Sequence, residues 1–285
     1  MFNFYFTGGV PAEADDLVGD NVLLSYATDR RGIIKRYDRG RSTFVDSGAF
    51  TAYTKGINVD IDEYVNFVNA YDEYISYFAQ LDVIPGSYGL SAEQTTDITL
   101  KNYLYMLSRT KSPCKLIPVF HRGSNLNYLK QLIHTGTEYI GLGAMAKVPE
   151  KERAIWLTEV FKLIPSQVKV HAFGLTSFDL LERFPFYSAD STSWLIYAVN
   201  GRLITDFGNY IVISQGRKKL RCHVEHKGEL IKDTLYDFIR ERGFEPEQLI
   251  NDPKSRLLWN IKYMLEWVNK YQYKPAKQVS QTKLF

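Results

Sequence analysis

Four apolar runs in this 285-residue chain end on side chains that can carry charge or move a proton. Val45 leads into Asp46-Ser47-Gly48-Ala49-Phe50, and Gln80-Leu81 into Asp82-Val83-Ile84-Pro85. Pro118-Val119-Phe120 leads into His121-Arg122-Gly123, and Phe186-Tyr187-Ser188-Ala189 into Asp190-Ser191-Thr192-Ser193-Trp194. Carboxylates and an imidazole so placed suit general acid–base or nucleophilic chemistry. Each also has a plainer reading. Asp46 can cap a helix, although the next helical pattern starts only at Ile61, and Gly48 lets backbone approach a ligand closely. Asp82 sits in an otherwise apolar run, so it must be paired, hydrogen-bonded internally or bound to ligand. His121 suits proton transfer or a structural role equally. Asp190 or Ser191 can cap a helix running from Thr192 towards Val199. Two more run ends, Gly141-Leu142-Gly143-Ala144 and His171-Ala172-Phe173-Gly174, offer small residues, amides and room for a planar ligand. His171 belongs either to that site or to the interior.

The elements that must position these residues follow from periodicity. Eight short runs rich in β-branched and aromatic residues (22–26, 43–45, 77–83, 116–120, 139–142, 168–173, 186–189 and 210–213) suit buried parallel strands. Amphipathic stretches at 61–74, 92–108, 126–134, 150–163 and 177–183 alternate with them. No glycine-rich phosphate-binding motif follows a strand. The alternation predicts an α/β fold, a (β/α)8 TIM-type barrel with its active site on the loops after the strands. One domain is expected over residues 1–271, with a helical C-terminal part ending in a helix at 255–271, then a polar, basic tail at 272–285.

Bulk properties narrow the function classes. A composition of 45% hydrophobic and 24% charged residues is ordinary for a globular chain, and a net charge of +3 excludes a polyanion-coating protein. Basic residues cluster at Arg30-Arg31, Lys35-Arg36 and Arg39 with Arg41, and again at Arg217-Lys218-Lys219. Such runs are either solvated surface or phosphate contacts. Cys114 and Cys222 imply no disulfide framework. Cys222-His223-Val224-Glu225-His226 matches no common zinc spacing, so neither metal nor cofactor is expected. Met1 to Val10 lacks a signal peptide's basic start, and no apolar run reaches the roughly 20 residues of a membrane helix. The chain therefore reads as cytoplasmic, with no membrane partner. Its 20 tyrosines and 17 phenylalanines serve packing or base stacking.

Taken in order, the strand ends resemble the tRNA-guanine transglycosylase superfamily, barrels that exchange a guanine base for a 7-deazaguanine. The resemblance runs from about Thr43 to Trp194. Asp46-Ser47-Gly48-Ala49-Phe50 is similar to the family's Asp-Ser-Gly-Gly-Phe/Tyr motif, and Leu81-Asp82 falls at its base-recognising aspartate. Pro118-Val119-Phe120-His121-Arg122-Gly123 falls at its Val-Gln-Gly segment, and Tyr139-Ile140-Gly141-Leu142-Gly143 resembles its glycine-rich strand end. Phe173-Gly174-Leu175-Thr176-Ser177 with Leu180-Leu181-Glu182 looks like its Gly-x-Gly-Thr-Pro-Glu-Asp-Leu-Leu stretch, and Asp190 then falls on the nucleophile. The chain departs from the family at His121, where the family has a base-reading glutamine. It also lacks the family's cysteine-rich zinc element. These departures and its length make it most similar to the short DNA 7-deazaguanine transglycosylases of phages and bacteria.

The resemblance implies roles. Asp190 is the nucleophile that captures the sugar C1′, and Asp46 carries the proton. Asp82 accepts from the purine N1–H and exocyclic amine. His121, Gly143, Ser47, Phe50 and His171 complete the base site, with Phe50 or Tyr53 as a stacking ring. Arg30, Arg31, Lys35, Arg36, Arg217, Lys218 and Lys219 are expected to hold nucleic acid, DNA in the first place and tRNA in the second. Other readings are a nucleoside N-glycosidase and a non-enzymatic nucleic-acid-binding barrel.

Overall fold

Short runs of β-branched and aromatic residues form parallel strands here, and the amphipathic stretches between them form the covering helices. A computed structural model describes residues 2–145, 148–205, 208–214, 216 and 229–271. Nine strands make one parallel sheet: β1 Asn3–Thr7, β2 Val22–Ser25, β3 Thr43–Asp46, β4 Ile75–Ala79, β5 Leu116–Ile117, β6 Val119–His121, β7 Tyr139–Gly143, β8 Lys169–Ala172 and β9 Ser188–Ser191. Their order in the sheet is β5-β4-β3-β2-β1-β9-β8-β7-β6. The two ends of that order are neighbours in the chain, separated by Pro118. Proline lacks the N–H that would continue the ladder. Gln80 N donates to Ile117 O at 3.0 Å on one side of the break, and Gly141 N to Pro118 O at 2.8 Å on the other. The result is a nearly closed, barrel-like sheet.

One strand differs from expectation. The run at 210–213 belongs to β11, Gly208–Val212, which pairs antiparallel with β10, Arg202–Thr205, in a separate two-stranded sheet. Its place in the large sheet is taken by β1, which pairs with β2 and β9. Phe4, Tyr5 and Phe6 are buried, so this N-terminal segment is core.

Alternate residues of a strand share a face, and one face here is lined with rings. Tyr5, Leu23, Phe44, Ile117 and Tyr139 form a buried cluster against which Tyr77, Phe173 and Tyr187 pack. Tyr5 meets Phe44 edge-on at 5.1 Å, and Tyr77 meets Tyr139 at 4.9 Å. Such pairs add roughly 0.5–1.5 kcal/mol each beyond area burial. Much of the aromatic composition is therefore packing. Two residues further along their strands, the same parity brings up Thr7 after Tyr5, Asp46 after Phe44 and Asp190 after Ser188.

After α1, Ala12–Val18, the helices of the sheet are α2 Tyr26–Tyr37, α3 Ala49–Lys55, α4 Ile61–Ala70, α5 Ala92–Leu107, α6 Leu126–His134, α7 Glu150–Leu163 and α8 Phe178–Arg183. Local chemistry starts several of them. Asp60 caps α4 by accepting from Glu63 N, and Ser91 with Gln94 forms a capping box on α5. Helices α2 and α3 were not expected from the sequence pattern.

By its contacts the chain divides into two compact units. One holds the parallel sheet, in residues 2–10 and 19–191. The other comprises Pro11–Val18 and Thr192–Tyr271, where the sequence pattern drew a single body over 1–271. In that second unit, Trp194, Trp259 and Ile261 are buried. Buried Arg256 donates to the carbonyls of Ala198, Leu249 and Ile250. The predicted tail at 272–285 lies outside the described residues. Among the described residues no helix is long and apolar enough to cross a membrane.

Candidate active site

Asp46 ends β3 and opens a tight turn. Its Oδ2 accepts from Gly48 N at 2.9 Å. Gly48 has φ +80°, and a Cβ there would lie 2.3 Å from Ser25 Oγ and 2.6 Å from the Ala27 methyl, so only glycine fits. The turn leads directly into α3 at Ala49. Asp46 therefore does serve a helix entry, which the sequence pattern argued against for want of a nearby helix. The N-cap position itself is Gly48, with no side-chain cap. The Asp46 side chain is half-buried and lines a cavity. Burial pushes its pKa from 3.8 up to about 7, the charges of Asp82 and Asp190 push the same way, and the N–H groups of Gly48 and Ser47 oppose them.

Asp82 lies in the loop after β4; the strand stops at Ala79 rather than running to residue 83. The loop is tied down by side chains. Val83 N donates to Thr99 Oγ1 at 3.0 Å, and buried Gln80 donates to Thr99 O and accepts from Val119 N. Asp82 Oδ1 accepts from Ser47 Oγ at 3.0 Å, and Oδ2 stands 2.8 Å from His121 Nε2. Asp82 is thus held by two side chains, not by a loop amide, and lines the cavity as well. His121 ends β6 and is 4% exposed. Its ring fits because residue 143 is glycine: a Cβ there would lie 2.8 Å from His121 Cδ2.

Asp190 sits on β9 with three hydrogen-bond partners around it. Oδ2 accepts from Thr7 Oγ1 at 2.5 Å. Oδ1 accepts from Gly174 N at 2.9 Å and lies 3.2 Å from His171 Nε2. The carboxylate is thus held within the sheet. The helix Ser193–Val199 begins at Thr192 with no side-chain cap.

Asp46, Asp82, His121, Gly143, Phe50 and Asp190 line one cavity of about 420 Å³, together with Thr7, Met145, Phe173 and Gly174. Phe50 is 56% exposed at this cavity. Two predicted ligand contacts stand behind the wall. Ser47 and His171 are both 0% exposed and hold Asp82 and Asp190 respectively. Thr7 was missed because residues 1–10 were weighed only as a targeting segment, although the run 3–7 ends on a polar residue as the other strands do. A second, larger concavity of about 650 Å³ against α7 and α8 contains Glu150, Lys151, Asp179 and Arg183 and no strand-end residue.

The basic stretch on α2 divides in two. Arg36 is buried and donates to Thr43 Oγ1 at 3.0 Å, Gly19 O at 2.6 Å and Ser42 O at 2.9 Å. It is a structural arginine, which corrects its assignment to nucleic acid. Arg30, Arg31 and Lys35 are exposed. Arg30 lies over the Tyr26 ring at 4.0 Å and near Glu63 at 3.9 Å. Arg217, Lys218 and Lys219 lie outside the described residues, as does Cys222 to His226.

No protein-family model matches the chain, and no curated protein is significantly similar to it.

Proposed function

We propose that the protein is a guanine transglycosylase that exchanges guanine in DNA for a 7-deazaguanine base through a covalent aspartyl intermediate. The observation that carries this reading is one cavity edged by three carboxylates, Asp46 ending β3, Asp82 in the loop after β4 and Asp190 on β9, with the Asp46 pKa pushed up to about 7. On this reading β5 and β6 are halves of one strand broken at Pro118, and the sheet is a (β/α)8 TIM-type barrel acting in the cytoplasm.

The chemistry runs in two balanced steps. Asp190 attacks C1′ of the deoxyribose as the guanine C1′–N9 bond breaks, and protonated Asp46 supplies the proton the leaving base takes up. The incoming base then gives its N9 proton to Asp46, attacks C1′ and releases Asp190. A carboxyl with a pKa of about 7 can give and take that proton at neutral pH. Asp82 keeps lone pairs beside its bonds to Ser47 and His121, and these accept from the purine N1–H and amine. His121 reads the base through Asp82, and Phe50 stacks on it. The cavity falls within the roughly 300–1,000 Å³ of small-ligand sites, so the base enters flipped out of its strand. Arg31 and Lys35 hold phosphate.

The test is incubation of the protein with DNA or tRNA and labelled guanine or 7-deazaguanine, followed by nucleoside mass spectrometry and denaturing gels. The expected result is label in DNA and a denaturant-stable covalent complex that Asp190→Ala abolishes. A complex that persists in Asp190→Ala means that another group is the nucleophile. Label entering tRNA alone moves the substrate to RNA, and abasic sites without incorporated label indicate hydrolysis by an N-glycosidase.

A further inference from the structure

Behind Asp190 lies a chain of polar side chains sealed inside the sheet. The Tyr139 phenol meets the Ser188 hydroxyl. Ser188 Oγ stands 2.5 Å from His171 Nδ1, and His171 Nε2 stands 3.2 Å from Asp190 Oδ1. His171 and Ser188 are 0% exposed and Tyr139 is 4% exposed. Rings pack around the imidazole, with Phe173 at 4.4 Å and Phe44 at 4.9 Å.

Proton positions along this chain follow from satisfaction. Burial, with Tyr5 beside it, pushes the Tyr139 phenol well above its ordinary value, so it keeps its hydrogen. A buried O–H needs an acceptor, and Ser188 Oγ is the acceptor it meets. The Ser188 hydrogen needs an acceptor in turn, and His171 Nδ1 is the one in reach. That nitrogen is bare, and the imidazole's single hydrogen sits on Nε2, facing Asp190. In the reverse direction Ser188 Oγ accepts from both Tyr139 and His171 Nδ1, and its own buried hydrogen is left without an acceptor among the described residues. With a neutral ring it also sets a bare Nε2 lone pair against the carboxylate.

We infer that His171 is a positioning residue, a neutral imidazole locked as the Nε2–H tautomer by Ser188 and Tyr139, and that it orients Asp190 for attack through Oδ2. A carboxylate offers about four lone-pair sites, two on each oxygen. Oδ1 uses both, on Gly174 N–H and His171 Nε2–H, whereas Oδ2 uses one, on Thr7. The remaining lone pair, on Oδ2, is the nucleophile. His171 takes no proton during the reaction, because Nδ1 is held by Ser188 and Nε2 already carries hydrogen. The Oδ2 assignment rests on the proposed role of Asp190; the placement of hydrogens does not.

Proton-detected nitrogen spectra of the full chain labelled at histidine read the tautomer directly at about pH 7.5, a little above histidine's ordinary pKa. His171 is identified as the signal lost in His171→Gln. Hydrogen on Nε2, with Nδ1 a hydrogen-bond acceptor, is expected. Hydrogen on Nδ1, or on both nitrogens, overturns the inference. In single-turnover trapping, Ser188→Ala should form the covalent complex at least about tenfold more slowly, with nucleic-acid affinity within about twofold, the pattern of a lost outer-shell partner. An unchanged rate overturns the positioning role. Should Ser188→Ala not fold, His171→Gln is read by the same criterion. Wild-type protein that shows the Nε2–H tautomer but forms no covalent complex overturns the transglycosylase reading and leaves the proton placement standing.

Discussion

Asp46 carries a cost in stability that its proposed role in proton transfer explains. Its folded pKa is about 7 against an ordinary 3.8. Below pH 3.8 both folded and unfolded chains hold the proton, and the group does not distinguish them. Between 3.8 and 7 the unfolded chain ionises first, so stability falls as pH rises, and above 7 the loss is complete. A gap of that size amounts to at most about 4 kcal/mol. Asp46→Asn should therefore stabilise the protein at pH 8 by up to about 4 kcal/mol and change little at pH 4, read by urea unfolding, while abolishing exchange. Equal effects at both pH values would contradict the assignment. Gly48→Ala should act in the opposite sense, costing roughly 3 kcal/mol or more, because φ +80° and two short contacts both oppose a methyl group. At this scale Asp46, Asp82 and Asp190 were legible as polar residues ending apolar runs. Their mutual proximity was not, since it depends on strand order. Nor was the buried setting of Ser47 and His171, because a hydroxyl or imidazole beside a site looks the same in sequence whether it faces ligand or wall.

At the scale of elements, α2 shows why a charged stretch misleads. Its buried residues are Tyr26, Ile33 and Arg36, so the apolar stripe is too sparse to mark a helix and one of its basic residues belongs to the core. Arg36→Ala should destabilise by about 3 kcal/mol, since it leaves Gly19 O and Ser42 O without their donor. Arg31→Ala with Lys35→Ala should leave the melting temperature nearly unchanged but weaken DNA binding and flatten its salt dependence. Binding that ignores this pair would remove α2 from the proposed interface. Helices α6 and α7 match their predicted spans because dense apolar spacing marks them. Helix α3 has only Ala49 and Ala52 buried, too little pattern to read.

Over the whole molecule, the α/β class and the strand–helix alternation were legible, and the division into two compact units was not. Strand periodicity reports which face is buried, not which body a segment joins. That is why 210–213 read as one more barrel strand and 3–7 did not. Function of the assembled site should also follow Asp46: on the proposed chemistry the release of guanine needs its proton, and it should slow as pH rises through about 7. A rate flat from pH 6 to 9 would assign that proton elsewhere.

The pairing of β1 with β9 has a consequence for time rather than space. Thr7 and the Asp190 it holds are 183 residues apart in the chain. During synthesis the first strand made must wait for nearly the last one before its second edge is covered. Contacts of such sequence separation form late, because loop closure precedes any reward. The site can therefore mature only when the sheet closes. Stopped-flow refolding should show helical signal returning well before the capacity to form the covalent complex, and simultaneous recovery would mean that β1 and β9 meet early.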